Sequence, residues 1–167
     1  MTTALIPHEV SLPGIDELTA TLAVPEGWIT DHLEEPPVFV ARMTAEEAGP
    51  FGDNVIVSIE RLGEDVPEDL EELQGLVYAQ AFDSVPDFYA LDDRPLEVAG
   101  AEGWFRASLQ TTPVGLTAVN RQVFTRRGDL LVTVSLTTMA FRDCESSALF
   151  EDLLDSVAIS TREGNDR

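Results

Sequence analysis

The sequence predicts an α+β fold: a single domain in which a central, mainly antiparallel β-sheet is flanked by helices. Three observations predict it. Thr117–Thr138 holds two strand-like runs that meet at Arg126-Arg127-Gly128-Asp129, the pattern of a long hairpin. Within it Leu130, Val132, Val134 and Leu136 alternate with Leu131, Thr133, Ser135 and Thr137, giving one apolar face and one rich in hydroxyls. The links between strand-like runs are short, which suits antiparallel neighbours, and two segments with helical periodicity supply the layers above and below.

Taken in order, the first strand is Thr19–Val24, with Ala20, Leu22 and Val24 inward. Pro25-Glu26-Gly27 stops it, and Trp28 is expected to close the sheet end. The stretch from Asp31 to Pro37 reads as a polar loop leading to a second strand, Val38–Met43, and Asn54–Leu62 is a third, β-branched one. Asp65 and Glu68 have capping-box spacing, and Leu70, Leu73, Val77 and Ala81 follow at helical intervals. The acidic first turn of that helix reads as a solvated face at the positive end of the helix dipole. Short extended pieces lie between Pro86 and Ala99, and Trp104–Leu109 is a strand with Phe105, Ala107 and Leu109 on one face and Trp104, Arg106 and Ser108 on the other. After the hairpin, Leu149, Phe150, Leu153, Leu154 and Val157 form the apolar stripe of a last helix, about Asp143 to Val157. The domain is expected to span residues 1–160, with 161–167 a flexible tail.

Composition bounds the function more than any motif does. The chain has 167 residues, enough for a self-sufficient core, and 31 acidic against 10 basic residues, a formal charge of −21. Every basic residue is an arginine, so Schiff-base chemistry and a P-loop lysine are excluded. Such a charge opposes binding to nucleic acid or an anionic membrane surface. Cys144 is the only cysteine, which rules out an intrachain disulfide and a cysteine-rich metal site and fits a reducing compartment. With no basic, apolar leader at the start, the expected location is cytoplasmic.

No residue pattern spells out a reaction. His8 and His32 are the only histidines, and neither has zinc-type spacing. The carboxylate pairs Glu34-Glu35, Glu46-Glu47 and Asp92-Asp93 are too common in this chain to single out an acid/base couple. No cofactor is expected, and Arg127-Gly128-Asp129 reads as turn chemistry, not as an adhesion motif. Hairpin parity does carry information. It puts Arg121 on the apolar face with Val123, Val132, Val134 and Leu136, where it is expected to reach a carboxylate at the sheet margin. The other face collects Asn120, Gln122, Phe124, Thr133 and Ser135, with Trp104 and Arg106 beside them. Two aromatics, an arginine and short polar groups have the composition of a binding surface, although a helix of the same chain could equally cover them.

The order of these features resembles the Mog/PsbP/DcrB-like superfamily over residues 8–160. The matching stretches are Leu22-Ala23-Val24-Pro25-Glu26-Gly27-Trp28, the helix after Ile59-Glu60-Arg61-Leu62, and the entry Val98-Ala99-Gly100 to Arg106. The hairpin Gly128-Asp129-Leu130-Leu131-Val132-Thr133-Val134 and the closing Phe150–Val157 helix complete it. The resemblance implies an antiparallel sheet between helices and a non-enzymatic adaptor, chaperone or binding subunit, and it assigns no site residue. The lipoprotein branches of that superfamily carry a signal and an acylated cysteine, which are not found here. The expected function is thus a protein-binding adaptor or chaperone-like domain that uses the sheet face and pairs with another protein or with its own copy. The alternatives are a small-molecule or lipid-binding domain with a pocket between sheet and helix, and an enzyme of unrecognised type.

Overall fold

The computed structural model describes residues 3–162. Ten strands and three α-helices follow in the order β1 (Leu5–Val10), β2 (Leu18–Pro25), β3 (Ile29–Glu34), β4 (Pro37–Arg42), α1 (Ala45–Ala48) and β5 (Asn54–Arg61). Then come α2 (Leu70–Ser84), β6 (Tyr89–Val98), β7 (Ala101–Thr111), β8 (Thr117–Arg127), β9 (Leu130–Met139), α3 (Asp143–Ser156) and β10 (Ala158–Thr161). Seven strands form one antiparallel sheet in the order β3-β4-β5-β9-β8-β7-β6, and β1-β2-β10 form a second, small one. The expected α+β class holds.

The hairpin β8–β9 is the centre of the large sheet, and its register is the one parity predicts: Val123 opposes Val134 and Arg121 opposes Leu136. Its turn is the two residues Gly128 and Asp129, with Gly128 at φ +61°, the sign required of the first central residue in a type II′ turn. The tripeptide Arg127-Gly128-Asp129 is structural: Arg127 donates to the carbonyls of Val98 and Ala99, and Asp129 pairs with Arg61.

The main core lies on the inner face of the large sheet. Phe39, Val55, Val57, Phe105, Val123, Val132, Val134 and Leu136 pack there against Val10, Ala20, Leu22 and Val24 of the small sheet and Phe150 and Leu153 of α3. On the outer face α2 lays Leu70 and Leu73 over Phe124 and Leu131.

Four local readings are corrected. The segment expected to be a polar loop is the edge strand β3, whose His32 and Leu33 oppose Phe39 and Val38. Its composition is polar because an edge strand beside solvent needs few apolar residues. The pieces between Pro86 and Ala99 are one strand, β6, with a bulge between Ala90 and Asp92. The second helix starts a turn later than the Asp65–Glu68 box suggests: Asp69 is its cap, accepting from the Glu72 N–H at 2.9 Å. Ser160 and Thr161, expected at the edge of a polar tail, pair with Thr19 and Leu18, and the Arg162 N–H donates to the Glu17 carbonyl. The remaining tail residues, 163–167, lie outside the described part.

Candidate functional site

The outer face of the large sheet is only half covered. Opposed residues share a face, so Val40, Ile56, Ser135, Gln122 and Arg106 form one cross-sheet row. Val38, Ser58, Thr133, Phe124 and Trp104 form the next, and Asn54, Thr137, Asn120 and Ser108 a third. Helix α2 sits over the β7–β8 end of these rows.

This divides the seven sequence-selected residues. Phe124 and Arg106 are each only 1% exposed, and Trp104 packs beside Phe124 under the helix. They are the floor beneath α2 and not free surface, which is the coverage by the same chain that the sequence left open. Asn120, Gln122, Thr133 and Ser135 remain half-buried on the part that α2 leaves open. Asn120 Nδ2 donates to Thr137 Oγ1 at 2.9 Å, which fixes its amide within the sheet surface.

Under the helix the polar groups are tightly organised. Arg106 Nε donates to Asp93 Oδ2 at 3.0 Å, and its Nη2 donates to both the carbonyl and the side-chain oxygen of Gln74. The Trp104 indole N–H donates to the other Asp93 oxygen. The guanidinium lies 5.1 Å from the Tyr78 ring and 5.9 Å from that of Phe124, while Nη1 has no partner. This buried ion pair ties the middle of α2 to β6 and β7, and the apolar space around it is filled by Leu70, Leu73, Phe124 and Leu131. That packing fills the space between sheet and α2 around Arg106.

The open half carries residues the sequence reading missed. Ile29 and Leu33 of β3 are exposed and lie in register with Arg42 and Val38, next to the half-buried Val40 and Ile56. The alternation Ile29, Asp31, Leu33 was the available signal, hidden because the stretch read as a loop. Two grooves cross this surface. One, about 480 Å³, runs from Phe51, Asn54 and Ile56 to Pro86 at the end of α2 and Pro113 in the β7–β8 turn. The other, about 470 Å³, lies between Ile29, Val40 and α1, and the two share Phe51 and Asn54. Gln74 and Tyr78 mark the flank of α2 that faces β7 and β6, where Tyr78 meets Phe88. Leu76 therefore projects from the opposite flank, and it is 55% exposed.

On the inner face, Arg121 behaves as parity suggested: its Nη2 donates to Asp143 Oδ1 at 2.6 Å, at the sheet margin. His8 and His32 lie with their ring centroids 6.0 and 5.1 Å from that of Phe39, as parts of the packing around it. Among the described residues no group of three His, Cys, Asp or Glu converges to hold a metal ion.

No family model and no curated protein sequence matches the chain. Solved structures do. LpqN from Mycobacterium tuberculosis, involved in cell envelope biogenesis, aligns with a TM-score of 0.68 at 12% identity, covering 92% of this chain and 91% of that one. Cyanobacterial PsbP from Synechocystis aligns at 0.63 and 16% identity, covering 89% and 95%. The Ran-binding protein Mog1p of Saccharomyces cerevisiae aligns at 0.58 and 16% identity, covering 92% and 95%. The chain has the Mog/PsbP-like fold.

Proposed function

We propose that this protein is a non-catalytic binding adaptor, chaperone-like in its mode, that accepts a segment of a partner protein on the open half of its outer sheet face. The observation that carries the reading is the uneven cover of that face. The floor of β3, β4, β5 and β9 spans three interstrand spacings, about 14 Å, room for one peptide segment. It joins the aliphatic Ile29, Leu33, Val40 and Ile56 to the short polar Thr133 and Ser135, a mixture of apolar contact and hydrogen-bonding groups suited to a protein interface. A solved structure of the same fold is a Ran-binding protein, which supports a protein partner. A charge of −21 disfavours self-association as the main use of the face. A reducing, cytoplasmic setting suits the free, exposed Cys144.

The test is Ser135→Arg, which fills the floor, compared with Glu151→Arg on the exposed side of α3. Affinity recovery from native lysate should yield a partner with wild type and Glu151→Arg and lose it with Ser135→Arg, while sizing of the purified protein reports any dimer. Equal recovery by all three would sink the reading.

A further inference from the structure

On the opposite side of the sheet a cavity of about 550 Å³ lies between α3 and the ends of the β1–β2 hairpin. Its size is in the range of roughly 300–1,000 Å³ typical of binding pockets. The wall includes Trp28, Met43 and Leu149, and three carboxylates face it, Asp53, Glu145 and Asp152. Glu145, Leu149 and Asp152 lie at helical spacing on one side of α3, with both acids exposed at the rim. Asp53 is different: it is 7% exposed, at the start of β5.

Asp53 is an incompletely compensated charge. Its Oδ1 accepts from Arg142 Nη2 at 2.7 Å, but the same nitrogen also donates to the Phe51 carbonyl, and Arg142 Nε is buried without a partner. The contact is single-point and not the two-pronged fork an arginine can make with a carboxylate. Burial raises the Asp53 pKa above its ordinary value in spite of that guanidinium and a backbone hydrogen bond from Met139, and Glu145 adds repulsion. The other arginine behind the wall, Arg121, is engaged by Asp143. Of the three carboxylates that line the cavity, Asp53 alone has an arginine partner among the described residues; Glu145 and Asp152 have none.

We infer that this cavity is an anchor pocket for an arginine side chain presented by a partner protein. The occupant follows from charge complementarity with an apolar groove. Carboxylates that do not converge on one point suit a spread, multi-donor cation better than a metal ion. Trp28 contributes aromatic wall of the kind a guanidinium favours, and Met43 and Leu149 offer apolar wall to its three-carbon stem. The site meets the sheet-face groove only at Met43, and none of its three carboxylates lines that groove.

The probe is the capped tripeptide acetyl-Gly-Arg-Gly-amide, compared with its citrulline counterpart, a neutral isostere of the same shape, and with agmatine as a free amine. In two-dimensional NMR the chain gives two indole signals, from Trp28 and Trp104. The arginine peptide should shift the Trp28 signal and the amides of residues 145–152 saturably and leave Trp104 unmoved. Citrulline should bind at least tenfold more weakly, and so should the arginine peptide to the Glu145→Gln/Asp152→Asn double variant, whose changes are at exposed positions and preserve the fold. Asp53→Asn should weaken binding as well, with spectral dispersion reporting whether its fold is intact. Equal binding of arginine and citrulline, shifts spread over the acidic surface without Trp28, or agmatine binding more than tenfold tighter than the peptide would each overturn the inference.

Discussion

The two halves of the outer sheet face belong to one continuous set of cross-strand rows and differ in what lies above them. Over β7 and β8, α2 encloses Phe124, Trp104 and a buried Arg106–Asp93 pair. Over β4, β5 and the outer side of β9 the same rows continue as Val40, Ile56, Thr133 and Ser135 beyond the reach of α2, with the single turn of α1 across a groove from Val40. A side chain's role on this sheet is therefore decided by its position along a row. Substitutions in the two halves should separate cleanly into those that unfold the protein and those that leave it folded and change what it binds.

The largest effect belongs to the covered half. Phe124→Ala empties the space between Leu73 and Leu131 and is expected to destabilise the fold by about 3–5 kcal/mol, read from denaturant unfolding. A loss under 1 kcal/mol would mean that α2 does not hold this position in solution. Asp93→Ala comes next. It leaves the Arg106 guanidinium buried with only Gln74 for a partner, an expected loss of about 2–3 kcal/mol, below the range for a fully enclosed pair because Asp93 is itself partly exposed. Replacing the arginine as well, Asp93→Ala with Arg106→Met, should recover part of that loss, since no charge is then stranded. If the double variant loses the sum of both single changes, the two side chains are not coupled and the ion pair is not formed in solution.

How much of this was legible in the sequence follows the same division. The hairpin alternation gave the faces of β8 and β9 correctly, down to Arg121 meeting a carboxylate, because period-two patterning is local. The position of α2 above one half of the sheet was not legible. It depends on contacts such as Leu73 on Phe124 and Gln74 on Arg106, which join segments far apart in sequence and leave no spacing signal. That is why Trp104, Arg106 and Phe124 grouped with Gln122 and Ser135 on parity alone. The edge strand β3 was missed for a different reason: Thr30, His32 and Glu34 on its inner face are polar and Asp31 interrupts Ile29 and Leu33 on its outer face, so the alternation that marks a half-buried strand is broken.

On the open half the expectation reverses. Ser135→Arg should change unfolding free energy by no more than about 0.5 kcal/mol, because Ser135 lies half-buried on the side of the sheet that α2 leaves open, yet it should abolish partner recovery. A loss of stability comparable to that of Phe124→Ala would show that this half too is covered in solution, and the contrast between the halves would fail.

The smallest expected effect is electrostatic and is visible chiefly as a pH dependence. Arg61, exposed at the end of β5, donates to Glu17 and Asp129, each at 2.6 Å, and joins the loop before β2 to the hairpin turn. Hydrogen bonding to Arg61 holds both carboxyls below their ordinary pKa. A depressed carboxyl stabilises the fold above its unfolded pKa and loses that contribution as pH falls through the folded value. Asp53 has the opposite sign. Burial raises its pKa, so its ionisation costs stability near neutrality, and that cost is relieved as pH falls through the raised value. On mild acidification Asp53 should take up its proton before the Arg61 cluster weakens. The stability difference between wild type and Arg61→Ala should thus be small, salt-sensitive and flat from neutrality to the ordinary carboxylate range, shrinking only below it. A difference that vanished well above that range, in unfolding curves taken across pH, would mean that the Arg61 contacts are not maintained in solution.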